Sequence, residues 1–325
     1  MKRNVTVLYG GRSGEHEISV RSAKSVLDAI DHGKYAVNKI FITPEGRWEP
    51  RPILPEPGAN PGVDIVFPVL HGTFGEDGSV QGLLELADLP YVGSGILGSS
   101  AAMDKEAAKR LCHERGIPVV EYVTLYRPRL ELADIEERFG YPVFVKPANL
   151  GSSVGISKAH DGAGLQQALE TAARWDRKII VERAIPGREF ECAVLGNEDP
   201  AASMPCEILP SQEFYDYDDK YVLNATKTEL PADLDAETTE ELRRLALAAY
   251  EALGCAGMAR VDFLLENRTG RLYVNEVNTI PGFTSISMYP RMWEHSGISY
   301  PNLIDRLIQL ALDRHEAKSG TRYTR

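Results

Sequence analysis

Residues 5–43 carry, in direct succession, VTVLYGG, SVRSAKSVLDAI and VNKIFIT: a strand, an amphipathic helix and a second strand. Strands joined through a helix pair in parallel, because the crossover returns the chain to the end of the sheet it started from. A parallel sheet must be covered on both faces, which commits this part of the chain to an α/β layer architecture. DIVFPVLHG adds a buried strand, QGLLELADL a short helix and PYVGSG another strand. The expectation is a doubly wound, Rossmann-like first domain with a parallel sheet over residues 1–98.

At 325 residues the chain exceeds one typical core, so further domains follow. One helix is expected over SAAMDKEAAKRLCHERG, stopped by Gly116 and Pro118. YPVFVKPA, GISKA and KIIVERA read as strands with hairpin signals, and FECAVLG, RVDFLLE and LYVNEVN as later strands. ETTEELRRLALAAYEALG and YPNLIDRLIQLALDRHEA read as helices. This second part is α+β, divided into residues 99–185 and 186–318, with a frayed tail over 319–325.

The formal charge of −11 offers no basic footprint for nucleic acid or an anionic membrane, yet leaves room for a locally held phosphate. Cys112, Cys192, Cys206 and Cys255 have neither CxxC nor zinc spacing and read as reduced, buried thiols. No apolar run approaches the roughly 18 residues of a membrane span, and MKRNVTVLYGG lacks a signal-peptide core. A cytoplasmic protein is expected.

Oxygen-bearing side chains concentrate in RVDFLLENRTGRLYVNEVN, two alternating runs around a turn. A three-residue loop of Arg268, Thr269 and Gly270 pairs Asn267 with Arg271, which sets Asp262 opposite Glu276 and Arg260 opposite Asn278. A two- or four-residue loop would separate them, because a slip of one residue turns side chains to the other face. Asp262, Glu276 and Asn278 are hard-oxygen donors of the kind that hold Mg²⁺ beside phosphates. The alternative is a salt-bridged sheet surface in which Arg260 neutralises Asp262.

In VKPANLGSSVGIS, Lys146 leads into a loop of Gly151, Ser152, Ser153 and Gly155. Its N–H groups and hydroxyls suit an anion, and the pattern is not a P-loop; a hairpin flap over a nucleotide is expected, with an ordinary turn as the alternative. Lys105 falls on a helix, where lysine is by default solvated. IIVERAIPGREF is expected to turn at Pro186-Gly187 and to offer backbone groups to a purine edge, with Glu182 and Glu189 either plain exposed carboxylates or ribose ligands. YGGRSGEHEIS fails the dinucleotide spacing G-x-G-x-x-G. Glu15 there either supports a helix N-terminus or receives a substrate ammonium. LHGTFGEDGS sets His71 at a strand's C-terminal end, where α/β sheets hold ligands, although a lone histidine there is more often structural. EFYDYDDKYVLNATK reads as a long lid loop.

In their shared order and spacing, GGRSGEHEIS, LHGTFGEDGSVQG, MDK, VKPANLGSSVG, EFYDYDDKY, ARVDF and NEVNTIPGFTS resemble the D-alanine–D-alanine ligase family of the ATP-grasp superfamily, nearly end to end. The resemblance implies a three-domain ATP-grasp enzyme that joins two D-alanine molecules through a D-alanyl phosphate, with ATP held between two sheets. By motif, Lys105, Lys146, Ser152, Ser153, Glu182, Arg183, Ala184, Ile185, Glu189 and Lys220 would hold ATP. Asp262, Glu276 and Asn278 would ligate two Mg²⁺ (or Mn²⁺) ions. Glu15 would receive the first D-alanine's ammonium with His71 nearby, and Ser152 and Tyr221 would link Glu15 to the lid. Ser287 and Met288 would meet the second D-alanine's carboxylate, and Arg260 with the Gly282 N–H would hold the oxyanion. Lys220 and Tyr221 fit the dipeptide-forming type rather than the depsipeptide-forming relatives that use D-lactate. The family is usually a homodimer through its first domain. Asn149 and Leu150 match no fixed family pattern and receive no role.

Overall fold

The computed structural model describes residues 2–126, 133–209, 227–284 and 286–322. The first sheet is built as the opening residues require. β1 (Arg3–Gly10) lies between parallel β2 (Tyr35–Ile42) and β4 (Ile65–Val69), and β3 (Trp48–Glu49) adds a short antiparallel edge, giving the order β3-β2-β1-β4. Helix α1 (His16–Ala29) buries Ile18, Ser19, Ser22, Ala23 and Val26, an i, i+4 stripe whose small members let the helix lie close to the sheet. The opposite face is covered by α2 (Ser79–Leu86) through Val80 and Leu84. PYVGSG contributes only an isolated bridge between Tyr91 and Val66, because its glycines end the pairing at once.

The single helix expected next is two, α3 (Ile96–Met103) and α4 (Lys105–Glu114). Asp104 breaks them: its backbone is extended, and its carboxylate caps α4 by accepting from the Ala107 N–H at 3.0 Å.

A second sheet, ordered β5-β8-β6-β7, joins β5 (Tyr122–Tyr126), β6 (Val143–Pro147), β7 (Ser157–Ala159) and β8 (Lys178–Arg183), all antiparallel. Helices α5 (Ala133–Phe139) and α6 (Gly162–Ala172) supply Ile135, Leu165 and Leu169 to its core. The chain then changes sheets. Pro186-Gly187 is therefore no hairpin turn: β9 (Gly187–Gly196) starts a third sheet with β10 (Ala201–Ala202), β11 (Cys206–Leu209), β12 (Lys227–Glu229), β13 (Gly257–Glu266) and β14 (Leu272–Asn278). Helix α7 (Ala236–Ala252) packs on this sheet. After β14 come α8 (Met288–His295) and α9 (Tyr300–Ser319), and α9 returns to the first sheet, where Leu303, Leu307 and Ile308 share a core with Val5, Val7 and Phe67.

The β13–β14 turn differs from the one expected, yet the pairing survives. Glu266 N–H bonds to the Arg271 carbonyl, so the loop has four residues and the ladder beside it pairs Phe263 with Val274. A bulge then leaves Asn275 unmatched, and beyond it Asp262 faces Glu276 and Arg260 faces Asn278. The inserted residue offsets the longer loop.

All four cysteines are free and buried. Among the described residues, no helix is long and apolar enough to cross a membrane.

Candidate active site

The loops at the carboxyl end of the first sheet form one wall of the site. Gly10 leaves β1 at φ 89°, where a Cβ would stand 2.2 Å from the Ile42 carbonyl oxygen, so only glycine allows this exit. Glu15 then precedes α1 but makes no side-chain cap. Its carboxylate instead accepts the Ser152 hydroxyl from the flap, and it is bedded against Gly72, whose added Cβ would lie 2.4 Å from Oε2. Of the two readings of Glu15, the geometry favours a group aimed into the cavity.

The segment after β14 forms the facing wall. The Ile280 N–H donates to Glu76 Oε1 at 3.0 Å, and the Ile280 carbonyl accepts from His71 Nδ1 at 2.9 Å. Burial pushes the His71 pKa down, so the ring is neutral; with Nδ1 protonated, Nε2 accepts the Ser22 hydroxyl at 3.0 Å. Ser22 Oγ in turn accepts the Phe283 N–H at 3.2 Å. The second Glu76 oxygen accepts the Gly72 N–H at 2.8 Å. Burial and the neighbouring Glu15 raise the Glu76 pKa to about 8. Both nitrogens of His71 are thus hydrogen-bonded inside the protein, and the ring borders the cavity. Ser287 Oγ accepts the Thr284 N–H at 3.0 Å, and Ser287, Met288, Gly282 and Arg260 line the same cavity of about 570 Å³.

A second cavity of about 440 Å³ opens between the second and third sheets. Lys105 is not solvated. It starts α4, is buried, donates to the Leu150 carbonyl at 2.5 Å and lies 3.7 Å from Glu276. Lys146 Nζ lies 2.7 Å from Glu182 and donates to Asn275 Oδ1 at 3.2 Å. Glu182, far from being an exposed carboxylate, is 2% exposed and also meets Lys109 at 3.0 Å. Burial alone would push its pKa up; the two ammonium groups prevail and hold it at about 2. Arg183 pairs with Glu266 at 3.1 Å, while Ala184, Ile185, Glu189 and Ser153 line the cavity. Ser152 and Ser153 hold the flap at φ 51° and 58°, left-handed values uncommon outside glycine. The two cavities share Lys105, Leu150, Gly151, Glu191 and Glu276, so they adjoin along these residues.

On the strand pair between them, Arg260 grips Asp262 through two bonds of 2.7 Å and reaches Glu191 at 3.3 Å, while Asn278 Nδ2 donates to Asp262 at 3.1 Å. This is the neutralised sheet surface offered as the alternative. The donors nevertheless suit Mg²⁺ or Mn²⁺: Asp262 and Glu276 face each other across the strands with Asn278 adjoining. Among the described residues no group of three His, Cys, Asp or Glu is placed to hold a metal. Lys220 and Tyr221 lie outside the described residues.

Ser22, Glu76, Lys109 and Asn275 are site residues that the sequence reading missed. A signal existed for Lys109: Lys105, Ala108, Lys109 and Cys112 form a buried i, i+3, i+4, i+7 stripe. Asn275 could not be found, because its place depends on the bulge.

Family models described as D-ala D-ala ligase N-terminus and C-terminus match residues 4–61 with 54–94, and 111–309, respectively. The D-alanine–D-alanine ligase of Solibacter usitatus is 64% identical over 325 residues, covering 100% of both chains. D-alanine–D-alanine ligase A of Salmonella typhimurium is 44% identical over 362 aligned positions, covering 99% of each. Among solved structures, the D-alanine–D-alanine ligase from Coxiella burnetii superposes with a TM-score of 0.88 at 39% identity, covering 98% of this chain and 96% of that one. The VanG D-Ala:D-Ser ligase from Enterococcus faecalis gives 0.88 at 37% identity, covering 96% and 100%.

Proposed function

The chain belongs to the D-alanine–D-alanine ligase family, and from that premise we propose how its residues divide the work of joining two D-alanine molecules at the expense of ATP. The observation that carries the reading is that the two cavities adjoin, both lined by Lys105, Gly151 and Glu276. An amino acid beside Glu15 and a nucleotide between the two sheets would meet end to end there.

Glu15, steadied by Ser152, receives the ammonium of the first D-alanine and leaves its carboxylate pointing towards the nucleotide cavity. That carboxylate attacks the γ-phosphate, because a free carboxylate does not react with an amine; the product is D-alanyl phosphate plus ADP. Lys105 and Lys146 neutralise the charge that develops on the phosphoryl group. Asp262, Glu276 and Asn278 would hold two Mg²⁺ (or Mn²⁺) ions, whose contribution when bound is electrostatic neutralisation of phosphate oxygens. The second D-alanine's amine, deprotonated, attacks the acyl carbon with its carboxylate at Ser287 and Met288. Arg260 and the Gly282 N–H stabilise the oxyanion, and phosphate leaves. A closed lid carrying Lys220 and Tyr221 would keep water from the acyl phosphate.

In this reading the first substrate binds to residues 1–98, and ATP lies between residues 99–185 and 186–318. The dipeptide feeds peptidoglycan precursor synthesis in the cytoplasm, and the enzyme works as a homodimer joined through its first domain. The deciding experiment measures phosphate release from ATP and Mg²⁺ with D-alanine, L-alanine or a D-alanine/D-lactate mixture, with products identified by mass. Release that needs D-alanine and yields D-alanyl-D-alanine supports the reading. A depsipeptide product would replace the second substrate, and no release from folded, ATP-binding protein would overturn it.

A further inference from the structure

Across residues 280–283 the backbone donors are almost all spoken for. The Ile280 N–H goes to Glu76, Pro281 has no N–H, and the Phe283 N–H goes to Ser22. Among the described residues no acceptor takes the Gly282 N–H, in a glycine that borders the cavity. Ile280 and Phe283, which bracket the Pro281-Gly282 pair, are each fixed at both backbone polar atoms. The Ile280 carbonyl accepts from His71, and the Phe283 carbonyl accepts the Tyr300 hydroxyl at 2.8 Å. The Phe283 ring adds a buried contact with Phe67, 6.0 Å between centroids.

We propose that Ser22, His71 and Glu76 act as one clamp that aims the Gly282 N–H, making them positioning residues for amide formation. The inference rests on the oxyanion role given above to that N–H. All three side chains come from the first sheet's layer, on α1 and on the loop after β4, whereas the clamped segment follows β14 of the third sheet. Ser22 closes the circuit, because one hydroxyl accepts from Phe283 and donates to the imidazole that holds Ile280.

The clamp also fixes Gly282 relative to the other substrate. Glu76 takes the Gly72 N–H with one oxygen and the Ile280 N–H with the other. Gly72 is the residue on which the Glu15 carboxylate rests. The group that receives the first amino acid's ammonium and the donor that stabilises its reacting carbonyl thus meet at Gly72, the first by packing against it and the second through the hydrogen bonds of Glu76. The Ser22 arm of the clamp is bonded to His71 and Phe283 and not to Glu15, so it bears on the Gly282 N–H rather than on phosphoryl transfer from a nucleotide held by Lys105 and Lys146. It matters when negative charge appears on the acyl oxygen, where an error of about 1 Å can cost about a hundredfold.

The test separates the two half-reactions in the full-length protein. Bridge-to-nonbridge isotope exchange in γ-labelled ATP, dependent on D-alanine, reads acyl phosphate formation; D-alanyl-D-alanine release reads the whole reaction. Ser22→Ala is expected to lower dipeptide turnover at least about tenfold, with isotope exchange and the KM for ATP within about twofold of the parent. His71→Asn, which keeps a donor near Nδ1, is expected to retain more turnover than His71→Leu, and this pair carries the test if Ser22→Ala does not fold. A parallel fall in exchange and dipeptide formation, or no change in either, overturns the clamp. Absence of dipeptide from the parent protein would instead overturn the functional reading beneath it.

Discussion

Asn275, the residue that the β13–β14 ladder leaves unmatched, accepts a hydrogen bond from Lys146 Nζ at 3.2 Å, joining the third sheet to the second across the cavity between them. A bulge lets consecutive residues face the same way, so Asn275 and Glu276 both line that cavity. Lys146 keeps Glu182 at 2.7 Å whatever happens to Asn275. Asn275→Ala should therefore raise the KM for ATP about fivefold, equivalent to roughly 1 kcal/mol, with little change in kcat. ATP saturation curves check this, and an unchanged KM would remove Asn275 from the site.

Glu182 lies between the buried ammonium groups of Lys109 and Lys146. Its pKa falls from 4.5 to about 2 on folding, so between those values the unfolded chain binds the extra proton and stability rises with pH. The contribution, roughly 3 kcal/mol, is complete above about pH 4.5 and is lost as pH falls through about 2. Glu182→Gln should cost about 3–5 kcal/mol at neutral pH, because it strands two buried cations, and should flatten the acid limb of the stability curve. Denaturant melts from pH 2 to 7 would show it.

Two glycines give opposite expectations. Gly72 has φ 73°, and its added Cβ would stand 2.4 Å from the Glu15 carboxylate. Gly72→Ala should cost about 1–2 kcal/mol of stability and raise the KM for the first D-alanine at least about tenfold. Gly82 lies inside α2 with nothing within 4 Å of an added Cβ. Gly82→Ala should stabilise by about 0.5–1 kcal/mol and leave kinetics unchanged. Thermal melts with D-alanine saturation separate the two.

Arg260 is held well above its ordinary pKa: burial opposes its charge, and Asp262 and Glu191 outweigh that penalty. Arg260→Ala should reduce turnover about a hundredfold, roughly 3 kcal/mol of oxyanion stabilisation, while ATP still binds. Nucleotide titration beside single-turnover kinetics distinguishes loss of chemistry from loss of binding. Near-normal turnover would refute the role.

Asp262→Asn should weaken Mn²⁺ binding in the presence of ADP at least about tenfold, read by electron paramagnetic resonance of the free ion rather than by turnover. Equal Mn²⁺ affinity in parent and variant would take Asp262 out of the metal set.

The sequence was most legible where periodicity is strong. The parallel first sheet and the helices α7 and α9 followed from hydrophobic pattern and crossover logic. Pairing of Asp262 with Glu276 was foreseen through a three-residue loop that the protein does not use; a longer loop and a bulge cancel each other. Local residues do not announce such a compensation, since each half alone would send Glu276 to the wrong face. Taken locally, Lys105 and Glu182 read as solvated by default because charge suggests surface, whereas their burial depends on partners dozens of residues or more away in sequence. The Ser22–His71–Ile280 circuit was invisible for the same reason: it joins segments from opposite ends of the chain.

Helix α9 has a consequence for how the protein is made. The first sheet's strands are complete by residue 69, yet one of their faces is finished by Leu303, Leu307 and Ile308. A ribosome synthesising from the N-terminus releases Val5, Val7 and Phe67 long before their covering helix exists. The earliest strands to be made are thus among the last to be sealed, and a nascent chain stalled before residue 300 would display an unfinished apolar face to chaperones and proteases.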